Sequence, residues 1–337
     1  MHGIFKRDKQ QGRRQAWHGL TEVREDLSFD KNFLREWDIQ HEVLRRFPDD
    51  PSSIDGIDTP YRILVATDDN EIIGKPYAET YKPLTNARFL DFIQNSIAQL
   101  KNVQIESVGS ICNRGRVFVS VKIEDAFEYT IGHRAFQEFL NFGNGHDQTS
   151  SLWTNNTNTC TVCYNTFTYN MMSGDVGDVF RTRVAHREGI EEQLLDVQAA
   201  IQNFIAGQER FKTNFKYLDG VSINQDSALA VIVAWLARNQ PIERLSARML
   251  DKAQKIHTLF NKGAGNSGDT LADLFSAVTD FYTHNSSAGN GKNKLLQFYN
   301  SEFGPGMTAK QSFWETLLDE DLLINYKQKG FDLLIAS

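Results

Sequence analysis

VQIESVGSICNRGRVFVSVKI, residues 103–123, is the stretch whose reading sets the fold. β-Branched and aliphatic residues fill both halves, and Cys112-Asn113-Arg114-Gly115 separates them with turn-forming types. The segment therefore predicts two antiparallel strands, Val103–Ile111 and Gly115–Ile123. Side chains of a strand alternate between its faces. Counted in twos, Val117, Val119, Val121 and Ile123 fall on a core face, with Arg114, Arg116, Phe118, Ser120 and Lys122 on the other. Three cations around one ring suit a single nucleic-acid strand, whose phosphates need neutralising and whose bases stack at about 1–3 kcal/mol each. The alternative is a solvated outer sheet face with Phe118 covered by another element.

Upstream, YRILVAT from Tyr61, then Asp68-Asp69-Asn70, then EIIG predicts a hairpin. Asn86–Leu100 sets Phe89, Leu90, Phe92, Ile93, Ile97 and Leu100 at helical spacing, so one stripe can lie on a sheet. Downstream, Thr157–Tyr169 is strand-like in composition, and Val179–Ala185 continues the sheet. A long helix is predicted from His186–Glu188 to Gly220, because Ile190, Leu194, Val197, Ile201, Phe204, Ile205, Phe211 and Phe215 recur every three or four residues. Helices follow over Gln225–Arg238, Ile242–Asn261, Thr270–His284 and Lys310–Gln328. The fold class is α+β: an antiparallel sheet packed with a long helix, plus a helical C-terminal lobe. The expected division is a basic arm at 1–18, an α+β core domain at 19–220 and a helical lobe at 221–337. Glycine-rich stretches at 263–268 and 286–291 read as linkers, since neither follows a strand or contains GxxxxGK[ST].

Composition narrows the function classes. With 36 basic against 43 acidic residues and a net charge of −7, wholesale adhesion to nucleic acid or an anionic membrane is excluded, so any such binding is local. Residues 1–18 hold five cations against Asp8 alone, which makes this arm either a phosphate-touching segment or a solvated tail. The longest apolar run, ALAVIVAWLA from Ala228 to Ala237, is half a bilayer span, so no membrane partner is expected. Three cysteines in a chain of this length fit a reducing cytoplasm.

A second cationic group, Arg181, Arg183 and Arg187, stands in FRTRVAHREG. It either forms one groove with Arg114, Arg116 and Lys122 or pairs with Glu188, Glu191 and Glu192. Cys160 and Cys163 have zinc-knuckle spacing without a second pair, and positions three apart on a strand face opposite ways, so buried thiols are expected. His133, His146, Asp147 and His186 are the raw material of a metal or acid–base group, without HExxH or comparable spacing to support one. Trp17-His18-Gly19-Leu20 reads as an anchor of the first segment to the core.

AWHGL near the start, YRILVATDDNEIIG, TCTVCYNTF, FRTRVAHREGI and GDTLADLFSAVTDFYTH occur in this order between about residues 16 and 300. Together they resemble the phage/plasmid-like protein family of domain of unknown function 932. The resemblance implies an accessory protein of a mobile element in the bacterial cytoplasm, handling that element's DNA. The leading expectation is a non-enzymatic, cofactor-free binder of single-stranded DNA that forms a homo-oligomer and promotes annealing or recombination, holding the strand with Arg114, Arg116, Phe118, Lys122, Arg181, Arg183 and Arg187. The alternatives are a protein-interaction factor that modulates a host protein, and a metal-dependent nucleic-acid enzyme.

Overall fold

The structure is a computed structural model that describes residues 3–6, 21–23, 27–30, 33–46, 56–98, 100, 103–111, 113–123, 128–148, 150–160, 166–169, 183–188, 190, 194, 204–237, 245–285, 300–301 and 304–336. The strands in chain order are β1 (Gly3–Lys6), β2 (Thr21–Val23), β3 (Ile39–Arg46), β4 (Ile57–Ala66), β5 (Ile72–Ala78), β6 (Val103–Ile111), β7 (Arg116–Ile123), β8 (Glu128–Ile131), β9 (Arg134–Gly145), β10 (Leu152–Cys160), β11 (Thr166–Tyr169) and β12 (Arg183–Val184). The helices are α1 (Phe33–Glu36), α2 (Asn86–Ser96), α3 (Phe204–Gly220), α4 (Gln225–Leu236), α5 (Ala247–Lys262), α6 (Leu271–Asp280), α7 (Pro305–Leu318) and α8 (Glu320–Ile335). This is the expected α+β class with a helical C-terminal region.

The larger sheet runs β11–β10–β9–β7–β6–β1–β2, with β8 paired to β9 and β12 to β10. All its pairings are antiparallel except β1–β2. One of its strands corrects the sequence reading: Gly3–Lys6, taken as the start of a basic arm, lies inside the sheet against Ser107–Ser110 of β6. Lysine and arginine in a short segment do not keep a backbone in water when an edge strand offers it a ladder. Trp17-His18-Gly19-Leu20 lies outside the described residues.

The core face of β6, β7 and β9 is the one that alternation picks out: Val108, Val117, Val119, Val121, Leu140 and Phe142 are all buried in one apolar cluster. Helix α2 covers it, with the Phe92 ring edge-on to Phe142 at 6.2 Å. Thr85 caps this helix by accepting from Arg88 N–H, and Asp38 accepts from Asn86 N–H at 2.7 Å, so the first-turn donors are satisfied. The end of the long helix is also where glycine placed it, at Gly220, and Ile190, Leu194, Phe211 and Phe215 are buried.

ALAVIVAWLA forms the body of α4, buried on nearly every side. A helix apolar all round belongs inside a protein or a membrane; here the surrounding helices enclose it, and no described helix is long and apolar enough to cross a membrane. Helix α8 crosses it closely enough that a Cβ on Gly330 would come within 1.9 Å of the Ala230 carbonyl. The predicted helix at Lys310–Gln328 is two helices, α7 and α8, because Asp319 takes an extended conformation and its side chain accepts from Leu322 N–H at 2.9 Å. Helices and sheet share a single apolar cluster that includes Val119, Phe215, Val231, Phe275 and Phe313. The helical lobe therefore has no separate core.

Arg134, at the start of β9, joins the two layers. Its guanidinium is 1% exposed and donates to Asp219 at the end of α3, at 2.7 Å, and to Asp273 in the first turn of α6. The second oxygen of Asp273 accepts from the backbone N–H groups of Gly268, Asp269 and Thr270 and from Ser267 Oγ. The glycine-rich stretch at 263–268 thus folds onto a carboxylate of its own chain. Arg134→Ala leaves two carboxylates, one fully buried, without their cation. We expect a loss of about 3–5 kcal/mol in a urea titration, the range for breaking a buried ion pair from one side.

Candidate nucleic-acid interface

Strands β3, β4 and β5 form a second sheet in that order, around a small core of Ile39, Leu64, Ala66, Ile73 and Tyr77. The predicted hairpin is its β4–β5 pair, turning through Asp68-Asp69-Asn70 with Asn70 at φ 60°. That turn meets the β6–β7 turn of the larger sheet, and the meeting overturns one expectation. Arg114 is not on the strand face with Arg116. Asn113 and Arg114 have φ of 54° and 61°, the left-handed pair of a tight hairpin turn, so period-two alternation does not reach them. The Arg114 guanidinium is buried, spans Asp68 and Asp69 at 2.8 Å each, and lies 5.0 Å from the Trp37 ring. Glu71 N–H and Arg114 together hold the Asp69 carboxyl below its usual range. Arg114 is a strut between the sheets and presents no cation to a ligand.

Register places the other candidates. On the face of the larger sheet opposite the helices, one row runs Gly109–Phe118–Gly143–Trp153–Arg183 across β6, β7, β9, β10 and β12, and the next holds Arg116 opposite Gly145. Both aromatic rings of the first row lie over glycines: a Cβ would come within 2.1 Å of the Phe118 ring at Gly109 and within 2.1 Å of the Trp153 indole at Gly143. Phe118 is buried, as the solvated-face alternative has it, whereas Trp153 is half-buried. Arg116 is half-buried and donates from Nε to Asp147 at 2.8 Å. Lys122 is on the same face, about 20 Å farther along β7 at strand rise, opposite Gln104 and Phe139.

Of the second cationic group, Arg183 is the register partner of Trp153, Arg187 is exposed just beyond β12, and Arg181 lies outside the described residues. The structure thus brings Arg116, Phe118 and Arg183 into neighbouring rows and leaves Arg114 out. Trp153 was not anticipated. Its signal was the run Gly143-Asn144-Gly145 inside a strand, where glycine marks a close approach by another group.

At the end of β9 the chain buries two histidines. His146 is fully buried, and its Nε2 donates to Asn86 Oδ1 at 2.8 Å; Asn86 Nδ2 donates to the Trp37 carbonyl, which orients that amide. The proton is therefore on Nε2, and Nδ1 has no hydrogen-bond partner. His186 Nδ1 contacts the Lys82 carbonyl at 3.3 Å, its ring lies 5.2 Å from Tyr81, and the Tyr81 hydroxyl donates to the Gly145 carbonyl. Burial, with His186 nearby, pushes the His146 pKa down to about 3, and burial also lowers that of His186. His133 is at the far end of β9, in contact with the Gly265 carbonyl at 2.7 Å. The four-residue group considered from sequence is therefore split, and among the described residues no three His, Cys, Asp or Glu side chains converge as metal ligands. Cys112 and Cys163 lie outside the described residues; Cys160 ends β10.

Two measurements check this geometry. Unfolded imidazoles take up protons near pH 6.5 whereas folded His146 stays neutral to about 3, so stability should fall progressively as pH drops below 6.5 toward 3. His146→Gln should flatten the decline of the urea midpoint with pH over that window. Arg114→Ala should lower the urea midpoint in the same titration, since it removes the buried side chain that joins the two sheets.

The family model described as Domain of unknown function (DUF932) matches residues 77–301. No curated protein and no solved structure matches the chain.

Proposed function

We propose that this chain, which belongs to the DUF932 family of domains of unknown function, binds single-stranded DNA without catalysing a reaction and serves annealing or recombination of a phage or plasmid in the bacterial cytoplasm. The observation that carries the reading is the register that sets Arg116, Trp153 and Arg183 in adjacent rows of one sheet face, with exposed Arg187 just beyond. Arg116 and Arg183 stand one row and three strands apart, about 16 Å at ordinary strand rise and spacing, a span that a few nucleotides of an extended strand cover. Trp153, half-buried and close over Gly143, is the aromatic of this face against which a base would stack, and since every base has a π-face no sequence preference follows. Pairing of released strands is downhill, and the protein has only to keep backbones extended with base edges exposed; no cofactor enters. The net acidity of the chain confines binding to this face.

Fluorescence anisotropy with a labelled single-stranded oligonucleotide across a salt series tests the reading. Affinity should fall with salt, and Arg183→Ala and Arg187→Ala should each reduce the log–log slope by about 0.7, the value per phosphate for single strands. Trp153→Ala should weaken binding by about 1–3 kcal/mol. Arg114→Ala should leave the affinity of the folded protein unchanged, and binding that is absent at low ionic strength ends the proposal.

A second reading, a protein-interaction factor, draws support from the smaller sheet, which holds four of the seven large apolar side chains exposed among the described residues: Val43, Ile57, Tyr61 and Ile72. Recovery of a host protein by pull-down, with no oligonucleotide binding, favours it.

A further inference from the structure

The smaller sheet has two edges, and they differ. Edge strand β5 carries Pro76, which has no N–H to donate, and beside it Lys75 N–H already donates to Gln148 Oε1 at 3.0 Å. Edge strand β3, IQHEVLRR, is eight residues long with no proline, and its outer side pairs with no described strand. Gln40, His41, Glu42, Val43, Arg45 and Arg46 are exposed. A long, exposed edge is a template for another strand.

We infer that the strand it takes is β3 of a second copy, antiparallel about a two-fold axis at Leu44. Charge selects that register. In a two-fold antiparallel pair, directly opposed residues share a face, so the axis must pass through a residue. An axis at Glu42 opposes two glutamates, one at Val43 opposes His41 to Arg45, and one at Arg45 opposes two arginines. An axis at Leu44 opposes each Glu42 to the other copy's Arg46, twice by symmetry, with leucine facing leucine between them and Val43 against the stem of Arg45. Arg45 keeps its ion pair with Asp58 at 3.1 Å on the far side of the strand. The product is one continuous six-stranded sheet across two chains. It is independent of the DNA-binding face, which belongs to the larger sheet.

Sedimentation velocity of the full chain between about 1 and 100 µM tests the inference. The wild type should show reversible association toward twice the 38.4 kDa chain mass. Glu42→Arg and Arg46→Glu alone should each weaken association about tenfold or more, and the double reversal should restore it to within about threefold, with far-UV circular dichroism unchanged throughout. A Leu44→Cys variant should cross-link to itself under mild oxidant, and Gln40→Cys should not, which reads the register without altering a charge. A strict monomer over this range, or association that neither single reversal weakens, overturns the inference. So does tighter oligonucleotide binding by Glu42→Arg at monomer mass, which would make the edge a nucleic-acid surface instead.

Discussion

A guanidinium withdrawn from water must find its counter-charge inside the protein, and the placement of Arg134 between Asp219 and Asp273 is the constraint around which the layers are arranged. An unpaired cation there would cost several kcal/mol, so three segments remote in sequence have to converge: the start of β9, the end of α3 and the first turn of α6. Their convergence explains further details. Asp273 can accept from Arg134 on one oxygen only because the loop amides of Gly268, Asp269 and Thr270 satisfy the other. The loop is closed over that carboxylate, and His133 next to Arg134 reaches the Gly265 carbonyl across the same joint.

Arg114 repeats the device at the other end of the larger sheet. It too is buried, held by two aspartates, and it connects the β6–β7 turn to the β4–β5 turn. Around it the small sheet is fastened by hydrogen bonds: Asn113 Nδ2 to the Glu71 carboxylate, Lys75 N–H to Gln148 Oε1, and the Tyr81 hydroxyl to the Gly145 carbonyl. Burial disfavours the charged form of both histidines at this junction. The junction is thus structural: Arg114 is held by its aspartates and Arg116 beside it donates to Asp147, whereas Arg187, just beyond β12, is exposed.

Much of the fold was legible wherever burial imposes a period. Val117, Val119 and Val121 announce a one-sided strand, and Phe89, Leu90, Phe92 and Ile93 a helix laid on it, because only those spacings put apolar atoms on one side. Where a strand is exposed on both faces, no such period forms: β3, IQHEVLRR, has no alternating apolar row, with Val43 beside Leu44 and Arg45 beside Arg46, and it went unread. The break at Asp319 was readable in principle, as an N-cap residue between two apolar runs. The candidate site was legible in part. Alternation aligned Arg116, Phe118 and Lys122 but ran one turn too far at Arg114, where the backbone leaves the extended region.

From the sequence alone come the α+β class, the strands and helices with one-sided apolar patterns, the local caps and the net acidity of the chain, since each depends on neighbours a few residues away. The tertiary structure decided which cations face outward. Arg114 and Asp68 are 46 residues apart, and Arg134 and Asp273 are 139 apart. A guanidinium is identical in either setting as a letter, and only folding brings up the carboxylates that claim it or leaves it to face solvent.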